Sequence, residues 1–148
     1  MKLGFASDHR GYKLKEELKN KFNYLEIVDY GTNDTNSCDY PDYAHKLCLG
    51  LLNKEIDFGV CICGSGIGIS IACNKHKGIY CAKVSNKEEA LHTRLDNNTN
   101  VIAFGESISL EDAYESVKTF IETEYSNLDK HNRRINKVKE IESGNLNG

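Results

Sequence analysis

The sequence predicts an α/β fold, a three-layer α/β/α sandwich in which helices cover both faces of a five-stranded parallel sheet. Short apolar runs alternate along the chain with stretches whose apolar residues recur every three to four positions, the signature of strands and amphipathic helices in turn. A glycine turn, Gly64-x-Gly66-x-Gly68, joins an apolar run to an apolar helical stretch, as at the phosphate end of a strand–turn–helix unit. At 148 residues, 39% hydrophobic and 28% charged, the chain reads as one domain over 1–148, able to bury a core without staples. It has no internal repeat and no low-complexity segment.

Lys2–Ala6 is the first strand, and Ser7-Asp8-His9-Arg10-Gly11 follows as a polar turn. Tyr12–Phe22 places Leu14, Leu18 and Phe22 on one face with lysines and glutamates opposite, so it is a helix. Leu25–Tyr30 is the second strand, closed by Gly31 and a polar loop to Cys38. Asp39-Tyr40-Pro41 opens the next helix, because proline suits a first turn; its inner face is Tyr43, Ala44, Leu47, Cys48, Leu51 and Leu52. Phe58–Cys63 is the third strand, and the helix after the glycine turn reaches Lys75. Ile79–Val84 is the fourth strand, Asn86–Leu95 a helix and Asn100–Phe104 the fifth strand. Ser109 with Asp112 resembles a capping box ahead of a helix bearing Ala113, Val117, Phe120 and Ile121. A basic helix from about 129 to 142 carries Ile135, Val138 and Ile141, and the tail 143–148 is expected to fray.

Composition narrows the function classes. A net charge of −3 and no tryptophan give no reason to expect nucleic acid. No apolar run approaches the ~20 residues of a membrane span, and Met1-Lys2 leads straight into strand-like sequence, so a cytosolic protein is expected. Cys38, Cys48, Cys61, Cys63, Cys73 and Cys81 form no CxxC pair, and Cys61-x-Cys63 has no histidine at zinc spacing. Neither a disulfide framework nor a metal is expected, and most of these thiols read as small buried apolar groups.

Ligands of such sheets bind at the carboxyl ends of strands, where the reading places Asp8-His9, the glycine turn and Asp96–Asn98. The glycine turn suits either an oxyanion or sugar-hydroxyl site, its amides converging at a helix N-terminus, or a ligand-free tight junction. Cys63, on the lip of that turn, is either a core thiol or a thiolate favoured by the helix end. Asp8-His9 could orient hydroxyls or form a capping Asp beside a surface His. His45, His76 and His92 read as surface or packing residues. Lys130 and Arg134 share a helix face within Lys130-His131-Asn132-Arg133-Arg134, suiting either solvent or a phosphate.

Five stretches in chain order carry a resemblance: SDHRGYKLK from Ser7, DYPDYA from Asp39, CGSGIGISIACNK from Cys63, NNTNVIAFGE from Asn97 and HNRRINKVKEIE from His131. Together they resemble the type B ribose-5-phosphate isomerase family and its galactose- and allose-phosphate relatives. The resemblance implies a Rossmann-like sheet and interconversion of ribose 5-phosphate and ribulose 5-phosphate through a cis-enediolate, in the pentose phosphate pathway, without metal, nucleotide or other cofactor. It implies Cys63 as general base, since the glutamate that other members carry six residues later is Ile69 here. Ser65 and the amides of Gly64, Gly66 and Gly68 would hold the enediolate oxygens. Asp8 and Tyr40 would bind sugar hydroxyls, with His9 near the phosphate or ring. The family is dimeric, in some members tetrameric, with shared sites, so the resemblance brings Asn97, Lys130 and Arg134 from the partner chain on a C-terminal helix.

Three positions depart from the family pattern. Asp96 stands at the usual ring-opening His, Ser107 at a usual Arg after the fifth strand, and Lys130 at the first Arg of the tail. Asp96 is then the candidate for ring opening, although a carboxylate near its ordinary pKa is a poor acid at neutral pH. The altered positions leave two alternatives: a six-carbon substrate, allose 6-phosphate or galactose 6-phosphate, and a non-catalytic or hetero-oligomeric sugar-phosphate-binding subunit.

Overall fold

The computed structural model describes residues 1–145. The strands are β1 (Lys2–Ser7), β2 (Glu26–Asp29), β3 (Phe58–Cys63), β4 (Cys81–Lys83) and β5 (Val101–Gly105). The helices are α1 (Tyr12–Lys21), α2 (Tyr40–Leu52), α3 (Ile67–Asn74), α4 (Lys87–Asn97), α5 (Leu110–Glu122) and α6 (Asp129–Ser143). All strand pairs are parallel, in the order β2-β1-β3-β5-β4. No helix among the described residues is long and apolar enough to cross a membrane.

Alternation along the central strands divides the core into two layers. Leu3 and Phe5 of β1, Val60 and Ile62 of β3 and Ile102 and Phe104 of β5 pack with α1, α4 and α5. Ala6, Cys61, Cys63, Val101 and Ala103 face α2 and α3, meeting Ala44, Leu47, Cys48, Ile69 and Cys73. Small residues on that second face let α2 and α3 sit close: a Cβ at Gly59 would come 2.5 Å from Leu47 Cδ2. All six cysteines are free, and Cys48, Cys61, Cys63 and Cys73 are buried.

Several elements differ from expectation for local reasons. β4 is shorter than 79–84 because it is an edge strand paired only with β5, and Asn74 occupies its open side. The Asn74 amide donates to Cys81 O at 2.9 Å and accepts from Cys81 N at 2.8 Å, standing in for a neighbouring strand. Ser109 Oγ accepts from Asp112 N at 3.0 Å, but only this half of the capping box forms among the described residues, Asp being one methylene shorter than the usual Glu. Lys15 is fully buried rather than solvated, its Nζ reaching Asp29 Oδ1 and Oδ2 at 2.8 and 2.7 Å. Leu52 is exposed. Ser143 is still helical, with Gly144 as a left-handed C-cap at φ +79, and 146–148, the end of the expected frayed tail, lie outside the described residues.

The largest change concerns α4. Asn86 caps it by accepting from Glu89 N, and it runs on to Asn97 before Asn98 ends it at φ +50. Asp96 and Asn97 therefore form the last turn of a helix that returns to the amino end of β5. Asp96–Asn98 does not lie at the carboxyl ends of the strands. A polar loop placed before a strand in the chain sits at that strand's amino end, and of the three polar clusters only those after β1 and β3 lie at the other.

Candidate active site

The chain leaves β1 toward β2 on one side and later places β3 on the other, so the strand order reverses between β1 and β3. Their carboxyl-end loops diverge there and open the crevice in which doubly wound sheets bind ligands. Asp8-His9-Arg10-Gly11 and the Gly64–Gly68 turn are those loops.

Cys63 ends β3, 4% exposed, and its Sγ accepts a hydrogen bond from Gly66 N at 3.2 Å. That contact seats the Cys63 sulfur at the positive end of α3. Contact with Cys73 and burial push the Cys48 and Cys61 thiols up, which keeps them protonated. Gly66 is the pivot of the turn, with φ +78, and a Cβ there would lie 2.7 Å from the Phe104 carbonyl carbon. Ser65 Oγ accepts from Ile67 N at 3.2 Å. Gly68 and Ile69, in the first turn of α3, have no intrahelical acceptor for their N–H groups, which leaves these amides available to an anion.

Two side chains cover the turn because glycines leave them room. The Tyr40 ring lies over Gly68, 2.7 Å from where a Cβ would stand, and the Arg10 guanidinium lies 2.8 Å from the corresponding point at Gly64. Arg10 is held by Glu106, its Nε donating to Oε1 at 3.1 Å, and that pairing raises its pKa. Sequence reasoning left Arg10 and Glu106 out of the site. They are distant in the chain, and only the adjacency of the β1 and β5 ends around β3 brings them together. Asp8 Oδ1 accepts from Arg10 N and Gly11 N, each at 3.0 Å, so the carboxylate does cap the turn, while Oδ2 makes no hydrogen bond among the described residues. His9 Nδ1 accepts from Cys38 N at 3.2 Å, which puts its proton on Nε2 and ties the loop before α2 to the site.

Cys63, Ser65, Gly64, Gly66, Gly68, Asp8, His9 and Tyr40 thus gather at one end of the sheet. Asp96, Asn97, Lys130 and Arg134 do not join them. Asn97 lines a cavity of about 420 Å³ with Tyr80, Asn100, Ile135, Lys139 and Glu142, at the amino ends of β4 and β5. Asp96 Oδ1 lies 3.3 Å from His131 Nε2 near the start of α6, the helix that carries Lys130 and Arg134. Five residues of β5 separate the two ends, about 13 Å along the strand.

The sheet and its switch-point crevice define a class, the doubly wound α/β proteins that bind small ligands beyond the carboxyl ends of their strands. The family model described as Ribose/Galactose Isomerase matches residues 3–138. The chain is 37% identical to ribose-5-phosphate isomerase B of Escherichia coli, over 95% of this chain and 96% of that protein. It superposes on the ribose-5-phosphate isomerase B structure from Clostridium thermocellum with a TM-score of 0.93 at 39% identity, covering 99% of this chain and 100% of that one. The Mycoplasma genitalium ribose-5-phosphate isomerase B structure with bound ribulose-5-phosphate gives 0.87 at 31% identity, over 96% of each chain. The chain belongs to the ribose/galactose isomerase family.

Proposed function

We propose that this protein interconverts ribose 5-phosphate and ribulose 5-phosphate, with Cys63 moving a proton between C2 and C1 of a cis-enediolate. The observation that carries the reading is the Cys63 thiol held by the Gly66 amide at the positive end of α3, in the switch-point crevice. The relatives named for this activity, one of them with ribulose-5-phosphate bound, supply the substrate class.

In this mechanism the Cys63 thiolate takes the C2 proton of the open-chain aldose and returns it to C1. Negative charge then builds on the C1 and C2 oxygens, where Ser65 and the amides of the Gly64–Gly68 turn meet it. One such preorganised donor contributes roughly 2.7–4 kcal/mol. Asp8 Oδ2 and the Tyr40 hydroxyl accept or share sugar hydroxyls, and His9 Nε2–H donates toward the ring or phosphate. No cofactor is needed, because one proton moves between adjacent carbons and a second from the C2 oxygen to the C1 oxygen.

The remaining residues reach the substrate from a second copy of the chain. One protomer keeps Asn97, Lys130 and Arg134 at the end of the sheet away from Cys63. α6 buries none of its residues, leaving Val138 and Ile141 exposed, and Ile67 and Ile71 of α3 are also exposed. These apolar faces suit a homodimer in which the C-terminal helix of each subunit serves the other's site, with Lys130 and Arg134 on the phosphate. The cytosol is the compartment that fits a free sugar-phosphate substrate. Steady-state conversion of ribose 5-phosphate tests the assignment, with allose 6-phosphate and galactose 6-phosphate as competing substrates. Cys63→Ala should cost roughly 10²–10⁴-fold in kcat, and near-normal turnover in that variant would sink the base assignment.

A further inference from the structure

An aldopentose 5-phosphate rests in solution as a closed hemiacetal, and its C2 proton becomes acidic only once the ring opens to the aldehyde. Opening needs a group that gives a proton to the ring oxygen. The chain places Asp96 where a proton donor is expected, and a carboxylate ordinarily has no proton to give at neutral pH. The geometry pairs Asp96 with a histidine. Its Oδ1 faces His131 Nε2 at 3.3 Å, joining the last turn of α4 to the first turn of α6. The His131 side chain is 13% exposed against 43% for Asp96, and its Nδ1 makes no hydrogen bond among the described residues. Lys130 and Asn97, the groups expected on the phosphate and the sugar, are the chain neighbours of His131 and Asp96.

We propose that His131 is the catalytic acid that opens the sugar ring and that Asp96 is its positioning residue. This rests on the shared-site reading, because the pair can meet the sugar only from a second copy of the chain. An imidazole gives and takes protons near neutrality, and a carboxylate on one ring nitrogen fixes which nitrogen is left for the substrate. His131 Nδ1–H gives its proton to the ring oxygen as the bond between C1 and that oxygen breaks, and the bonding pair stays on the oxygen. The anomeric O–H pair becomes the carbonyl bond, its proton passes to water, and the imidazole recovers a proton from solvent. The substrate is isomerised and nothing is oxidised or reduced. The histidine that a family comparison finds missing at position 96 is thus supplied from α6, in contact with that position.

Ribulose 5-phosphate separates this role from proton transfer at carbon. With its 5-hydroxyl phosphorylated it cannot close a five-membered ring, so exchange of its C1 proton with deuterium oxide needs the base but no ring opening. His131→Gln in the full-length chain should lower turnover of ribose 5-phosphate roughly 10²-fold. C1 exchange from ribulose 5-phosphate should stay within about threefold of the parent, which also certifies a folded, assembled site. Asp96→Asn should lose about tenfold in the first assay and little in the second, with partial recovery in Asp96→Glu. Equal loss of both activities in His131→Gln overturns the proposal, as does unchanged turnover of ribose 5-phosphate. A parent chain that neither exchanges nor isomerises overturns the isomerase reading itself, and this role with it; silence of the parent distinguishes that failure from one confined to the variant.

Discussion

Replacing Gly66 with alanine perturbs the turn at the point where its backbone has least latitude. Two costs add. The residue sits at φ +78, where a Cβ is unfavourable by about 1 kcal/mol. The new methyl would also stand 2.7 Å from the Phe104 carbonyl carbon and 2.9 Å from Gly105 N, backbone atoms of the sheet that cannot rotate away. Such overpacking adds about 1–3 kcal/mol, for a total near 2–4. Gly78→Ala is the matched control: φ is +87, but the nearest atom to its Cβ is Leu52 Cδ2 at 3.3 Å, the end of a flexible side chain. It should cost only the backbone share, about 1 kcal/mol. Urea unfolding of parent and both variants at one protomer concentration measures the difference, since association would contribute to apparent stability. Because the Gly66 amide donates to Cys63 Sγ, its displacement should also slow alkylation of Cys63 by iodoacetamide at neutral pH. If Gly66→Ala is no less stable than Gly78→Ala, the clash with β5 is not what requires glycine here.

Burial works to raise the Asp29 carboxyl, but hydrogen bonds from Lys15, Lys19 and Gly31 N–H outweigh it and hold the group below its usual range. The stability it contributes is therefore complete above its unfolded pKa of about 3.9 and is lost as pH falls through the lower folded value. Urea midpoints should drop steeply below about pH 4 in the parent and more gently in Asp29→Asn; identical slopes would refute the assignment. Lys15→Met should destabilise by about 2–4 kcal/mol at pH 7, less than a fully broken buried pair because Lys19 still reaches Asp29. Arg10→Ala should leave the urea midpoint close to the parent's while slowing Cys63 alkylation, because the exposed guanidinium places positive charge beside the glycine turn rather than supplying fold stability. A large loss of stability with unchanged alkylation would contradict that role.

What the amino-acid pattern could reveal depended on whether the determining contact was local. β3 over Phe58–Cys63, α1 from Tyr12 and the proline-opened α2 follow from periodicity and first-turn chemistry, each confined to a few neighbouring residues. The glycine turn was legible as a sharp strand–helix junction for the same reason. Lys15 was not legible as buried, because its burial is decided by Asp29 on the neighbouring β2, outside the helix whose face predicted it to be solvated. Arg10 with Glu106 and Asp96 with His131 were likewise invisible, each being a pair of unremarkable charges until the sheet order brings them together. Asp96–Asn98 was misplaced for a different reason: α4 continues to Asn97, and a helix's length decides at which end of the sheet its last turn arrives.

The separation of Cys63 from Asn97 by the length of β5 has a genetic consequence. In the proposed two-fold dimer each site would draw Cys63 from one subunit and Asn97 from the other, so two individually dead proteins could repair one another. When Cys63→Ala and Asn97→Ala homodimers are unfolded together and reassembled, half of the products are hybrids. In each hybrid one site inherits both lesions and the other neither, so the mixture regains about a quarter of parental activity. Under that shared-site reading two alleles of this gene carrying those lesions would complement in one cell, although each encodes a subunit that is inactive on its own.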